Sequence, residues 1–146
     1  MREILFRGKR IDNCEWVEGW YEMYPFWRLP LKESIIPSEE AKDGYYEHVE
    51  VDPSTVGQYT GLKDKNGNRI WEWDILRIYK IADGLGGYYN PPLDYPVNVV
   101  VKWDLCAWMW ETLCEDKRYI SFPDAWCHYE CEVIGNIHDN KELLEK

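Results

Sequence analysis

Apolar and polar side chains alternate over short stretches of this chain, and turn residues interrupt the alternation every few positions. Residues 3–9 place Ile4 and Phe6 on one face, and residues 15–21 carry Trp16, Val17, Trp20 and Tyr21. Period-two patterning of this kind marks half-buried strands. Asp12-Asn13-Cys14 between the two runs predicts a hairpin. Asn tolerates the left-handed backbone such a turn uses, whereas Cys14 would adopt it only at a steric cost.

Residues 25–48 break the pattern. Pro25, Pro30 and Pro37 interrupt any ladder, so the stretch is predicted as an irregular surface excursion, with Phe26 and Trp27 tucked back onto the core. Residues 45–51 look like a strand that ends at Asp52-Pro53-Ser54-Thr55, where Pro53 fixes its own φ and forces a turn. A strand over 56–62 leads to Asn66-Gly67, the strongest hairpin signal in the chain. Residues 70–81 hold neither Pro nor Gly and are predicted as one continuous strand. Residues 83–92 have a loop composition. Further strands are expected over 97–103, 107–113, 118–122 and 131–137. Asp139-Asn140 is then expected to cap a helical turn over 141–144.

About six to eight short strands at close spacing argue for one α+β, mostly β domain spanning 1–146. The expected form is a small antiparallel β-barrel or curled sheet built from hairpins, with a short C-terminal helical turn. At 146 residues the chain buries enough surface to fold without metal or disulfide.

Composition reinforces the β reading, because 9 Trp and 11 Tyr favour strands. The net charge of −10 disfavours a sequence-independent grip on nucleic acid, which needs Lys and Arg to release counterions. Five cysteines, an odd number, with no long apolar run at the N-terminus predict reduced thiols and a cytoplasmic location. No apolar segment is long enough to span a membrane as a helix.

Three segments carry a resemblance: Phe6-Arg7-Gly8-Lys9, the long run Val56-Gly57-Gln58-Tyr59-Thr60-Gly61-Leu62-Lys63-Asp64-Lys65-Asn66-Gly67, and Glu132-Val133-Ile134-Gly135-Asn136-Ile137-His138. In this order they strongly resemble the YopX-like family of phage and bacterial mobile-element proteins. The resemblance implies a compact α+β fold containing a small β-barrel and a largely undefined accessory role. It brings no catalytic or binding residue with it. Two positions depart from the family pattern. Glu72-Trp73-Asp74 stands where the family has Glu-Gly-Asp, and Asn13-Cys14 stands where it has Asn-Gly. Either the two turns do without the glycine-only region or they have changed type.

Candidate chemistry is sparse. Cys127, His128, Cys131 and His138 lack the paired short spacing of a zinc site and are expected to be structural. Gly84-Leu85-Gly86-Gly87 lacks the Lys and following helix of a phosphate loop. No nucleophile with an oriented base is evident, so neither enzymatic activity nor a cofactor is expected. Eight tryptophans and the loop tyrosines exceed what a small core encloses. Some are therefore expected on a surface that binds a protein partner or a second copy, with Tyr59, Trp71, Trp73, Asp74, Tyr88 and Tyr89 as the candidate binding residues. A different possibility is a nucleic-acid-associated protein, or an acidic DNA mimic that occupies a basic DNA enzyme. That would place carboxylates in rows on the surface.

Overall fold

Short strands joined by turns account for nearly all the regular structure. The computed structural model describes residues 3–24, 32–37, 47–81, 96–104, 107–113, 119–121 and 129–144. By its internal contacts the chain divides into two compact units, Met1–Gly61 and Leu62–Lys146.

In the first unit β1 (Phe6–Lys9), β2 (Trp16–Tyr24), β3 (Lys32–Pro37), β4 (Val49–Glu50) and β5 (Gly57–Lys63) follow one another. Their lateral order is β4-β3-β2-β1-β5, and the neighbours pair antiparallel. Ile35 on β3 opposes Val49 on β4, and both are buried with Val51. Gly8 lets β1 lie against them: a Cβ there would stand 3.1 Å from the Val51 Cβ and 3.3 Å from Ile35 Cδ1. Burying each such aliphatic side chain contributes about 1.5–3 kcal/mol. A 3-10 turn at Pro53–Thr55 falls where the proline predicts a turn. Asp52 caps it by accepting the Ser54 N–H at 2.9 Å. Thr55 in turn accepts the Lys9 N–H at 2.9 Å, which ties the turn to β1.

The stretch expected to be an irregular excursion contains β3. Its proline, Pro37, is the last strand residue and so interrupts no internal ladder bond, while Ile35 anchors the strand between Tyr21 and Val49.

β5 runs across the division and ends in the hairpin that opens the second unit. There follow β6 (Arg69–Trp71), β7 (Asp74–Ile81), β8 (Val97–Asp104), β9 (Ala107–Thr112), β10 (Tyr119–Ser121) and β11 (Tyr129–Asn136). Five of these strands form an antiparallel sheet in the order β10-β9-β8-β7-β11. Alternation places Leu76, Ile78, Val99, Val101, Trp108, Trp110 and Cys131 together in one buried cluster with Ile70 of β6, and Leu62, Val97 and Val133 pack against it.

Three details of the expected fold change. Both sheets are open, one ending on β4 and β6 and the other on β10 and β11, so neither closes into a barrel. The run over 70–81 is two strands, because the chain reverses at Glu72-Trp73 between β6 and β7. A 3-10 turn at Lys141–Leu143 does close the chain, but Asn140 makes no side-chain cap to it. Its Oδ1 instead accepts the Asn136 N–H at 3.2 Å.

Candidate functional site

The three sequence segments that carry the family resemblance fall on β1, on β5 with the turn that follows it, and on β11 with the turn that follows it. Gly8 sits in the close approach described above. In the 64–68 turn, the buried Asp64 carboxylate accepts the N–H groups of Asn66 and Asn68, both at 2.9 Å, and the Asn68 side-chain amide at 3.0 Å. It also accepts the Val133 N–H of β11 at 3.1 Å. Burial pushes the Asp64 carboxyl up, but these hydrogen bonds outweigh it and hold the group below its usual value. Gly67 has φ +86° and Asn66 is not in the left-handed region, so Asn66-Gly67 is not a two-residue hairpin loop. It lies in a longer turn in which the Gly67 N–H returns to the Asp64 carbonyl at 3.0 Å.

The last segment is a second knot of this kind. Asn136 Oδ1 accepts the N–H groups of His138 and Asp139 at 2.9 and 3.0 Å, and its amide donates to Asp139 at 2.9 Å. A Cβ on Gly135 would stand 2.3 Å from Asn140 Oδ1, the atom that holds the Asn136 N–H.

At both positions where the family pattern has glycine, the backbone keeps the left-handed conformation. Cys14 has φ +61° and Trp73 has φ +69°. The turns have therefore not escaped the glycine region; ordinary residues occupy it. Trp73 is clamped by two backbone bonds, its N–H donating to Val101 at 2.8 Å and its carbonyl accepting the Ile137 N–H at 3.1 Å.

Of the six residues expected on a binding surface, Tyr59, Trp71 and Asp74 are buried and Trp73 is half-buried. Trp71 and Asp74 meet, the Trp71 N–H donating to Asp74 Oδ2 at 2.8 Å across the Glu72-Trp73 bend. Their contribution is to the core and its turns. Tyr88 and Tyr89 lie outside the described residues, as do Cys127 and His128. Among the described residues no group of three or more His, Cys, Asp or Glu side chains could hold a metal ion. Burial pushes the Cys131 thiol up to about 12, helped by the Asp64 charge, so it is a poor nucleophile.

The exposed large apolar side chains are elsewhere. Trp103 keeps 51% of its surface in solvent and Trp20 keeps 46%, with Ile4, Ile11 and Met23 also exposed. Trp103 faces Trp108 across the β8–β9 hairpin, edge to face with ring centroids 4.9 Å apart. Trp108 is buried, and among the described residues its indole N–H has no acceptor. Trp103 lies in phase with the buried Val99 and Val101 and the partly buried Val97, so alternation marks it as core. The end of the row emerges into solvent, which alternation does not encode. In the first unit a shallow cleft of about 260 Å³ is lined by Arg10, Ile11, Asp12, Glu47, His48, Val49 and Glu50. A bidentate Arg10–Asp12 pair at 2.9 and 2.7 Å stands at it.

Two open antiparallel sheets, with tryptophan left exposed at a hairpin end, define a small, mostly β protein. The family model for YopX protein matches residues 5–145, and the chain belongs to that family. It is also similar to a solved structure described as the crystal structure of protein EF1440 from Enterococcus faecalis. That similarity is at 25% identity with a TM-score of 0.51, covering 99% of this chain and 100% of the other. No curated protein matches the chain. Among the described residues no helix is long and apolar enough to cross a membrane.

Proposed function

We propose that this YopX-family chain is an accessory protein of a phage or bacterial mobile element, acting in the cytoplasm by binding another protein rather than by catalysis. The observation that carries the reading is the Trp103–Trp108 pair. A half-exposed indole standing on a buried one is a large, rigid apolar group that keeps half of its surface in water. Trp is the residue type most enriched among binding hot spots, where truncation costs 2 kcal/mol or more, on the order of a thirtyfold loss of affinity.

The charge pattern supports a protein partner over a DNA-mimic role. A mimic needs rows of free carboxylates, whereas Asp12 is paired with Arg10, Glu50 with Lys32 at 2.6 Å, and Glu132 with Lys65 at 3.3 Å. The test is affinity capture from the bacterium that carries the gene, run in parallel with wild type and Trp103→Ala. A discrete protein retained by wild type and lost by the variant supports the reading. Retention of a basic DNA-processing enzyme by both proteins would favour the mimic, and capture of nothing by either would refute both.

A further inference from the structure

Among the described residues β11 ends its sheet, pairing with β7 on one side only. Free strand edges are templates for pairing with another chain. Here the other side of β11 is met by the 64–68 turn instead of a strand. The Lys65 N–H donates to the Cys131 carbonyl at 3.1 Å, and the Asp64 carboxylate takes the Val133 N–H at 3.1 Å. These are the donor and acceptor, two residues apart, that an incoming strand would use.

The Lys65 side chain completes the imitation. Its ammonium lies 3.3 Å from Glu132 and 3.8 Å from Glu130, and 4.0 Å from the centre of the Tyr79 ring. Tyr79 Oη donates to Glu132 at 2.8 Å, which fixes that carboxylate toward the lysine. Asp64-Lys65 thus occupies the edge as a strand-like segment would, with two backbone-directed bonds and one cation seated on two acids and a ring.

We propose that the β11 edge is a strand-addition site for an extended segment of a partner protein bearing Lys or Arg, held shut by the 64–68 turn acting as an internal surrogate. The recognising chemistry is the Cys131 carbonyl and the Val133 N–H for the backbone, with Glu130, Glu132 and Tyr79 for the cation. A second copy of β11 fits less well, because antiparallel pairing would bring Glu130 and Glu132 of both copies together. This edge shares no residue with the Trp103–Trp108 pair, so the two proposals stand or fall separately.

The lock is opened with Asp64→Asn. One amide oxygen still caps the turn, but the NH2 that replaces Oδ2 cannot accept the Val133 N–H. The probe is a short acetylated peptide of alternating Thr and Val with one central Lys, and a matched peptide with Glu in its place. Asp64→Asn is expected to bind the Lys peptide about tenfold tighter than wild type does, and at least as much tighter than the Glu peptide. Equal affinities for the two proteins, equal affinities for the two peptides, or dimerisation of the variant without peptide would each overturn the proposal. Should the variant fail to fold, amide exchange on wild type decides. An opening lock requires the Lys65 and Val133 amides to exchange together and well ahead of the core amides of Val99 and Val101. Exchange of all four only on global unfolding would sink the idea.

Discussion

Replacing Cys14 by glycine should stabilise the first unit, although glycine usually weakens a fold. Cys14 is exposed and at φ +61°, so its side chain buries nothing while its Cβ crowds the backbone. The left-handed conformation costs a residue with a Cβ roughly 1–2 kcal/mol. Glycine removes that cost but loses about 0.5–1 kcal/mol more chain entropy on folding. The turn bonds are kept, since the Cys14 N–H to Arg10 carbonyl bond and the Arg10 N–H to Glu15 carbonyl bond are both backbone. The net gain is about 0.75 kcal/mol, the middle of a range of roughly 0–1.5 kcal/mol, which at a urea m-value of about 2 kcal/mol/M raises the midpoint by roughly 0.4 M. Tryptophan fluorescence during urea unfolding measures it, and if the two units melt in separate steps the shift belongs to the step of the first. Cys14→Ala is the control, because alanine removes the thiol and keeps the Cβ. An equal gain from alanine, or none from glycine, would show that backbone strain at Cys14 is not the cause.

Other outcomes follow from buried groups. Asp74→Ala leaves the Trp71 N–H buried without its acceptor, and should cost on the order of 2–3 kcal/mol in thermal unfolding; a melting curve within about 0.3 kcal/mol of wild type would contradict the assigned role of the bend. Iodoacetamide at pH 8 should label Cys14 quickly and Cys131 only on unfolding, as read by peptide mass mapping; comparable rates would mean that Cys131 is not enclosed. Burial pushes both the Cys131 thiol and the Tyr21 hydroxyl up to about 12, Tyr21 with help from Glu33, against ordinary values of 9.0 and 10.0. Groups raised in the folded state contribute stability that is whole below their unfolded values and falls as pH rises toward 12. Denaturant midpoints should therefore drop across pH 9–12; a flat profile there would refute both assignments.

Turn chemistry and β-branching made much of the fold legible. The Asp12-Asn13 and Asn66-Gly67 hairpins, the Pro53 turn and the strand over 97–103 all stand near their expected places. Each depends on forces within a few residues. β3 was hidden because prolines at 25, 30 and 37 weigh against a strand by composition, whereas what decides is that Pro37 ends the ladder and Ile35 is buried by strands distant in sequence. The break at Glu72-Trp73 is invisible to alternation, because no glycine announces it, and only the family resemblance marks a turn there. Its cause is the Asp74 carboxylate reaching back to Trp71, a contact visible only once the chain has turned. The burial of Tyr59, Trp71 and Asp74, three of the candidate binding residues, has a related reason. Alternation tells which side chains share a face and is silent on which face is covered. Tyr59 and Trp71 are therefore inside while Trp103, in step with the buried Val99 and Val101, is half outside.

The central claim is that the family-marking residues build the fold while Trp103 makes the partner contact. It is tested most directly by titrating the protein captured by wild type against wild type and Trp103→Ala, by calorimetry. The account expects the variant to melt close to wild type, because half of the side chain is already in water, and to bind at least about thirtyfold more weakly. Affinity unchanged in a folded variant would contradict it.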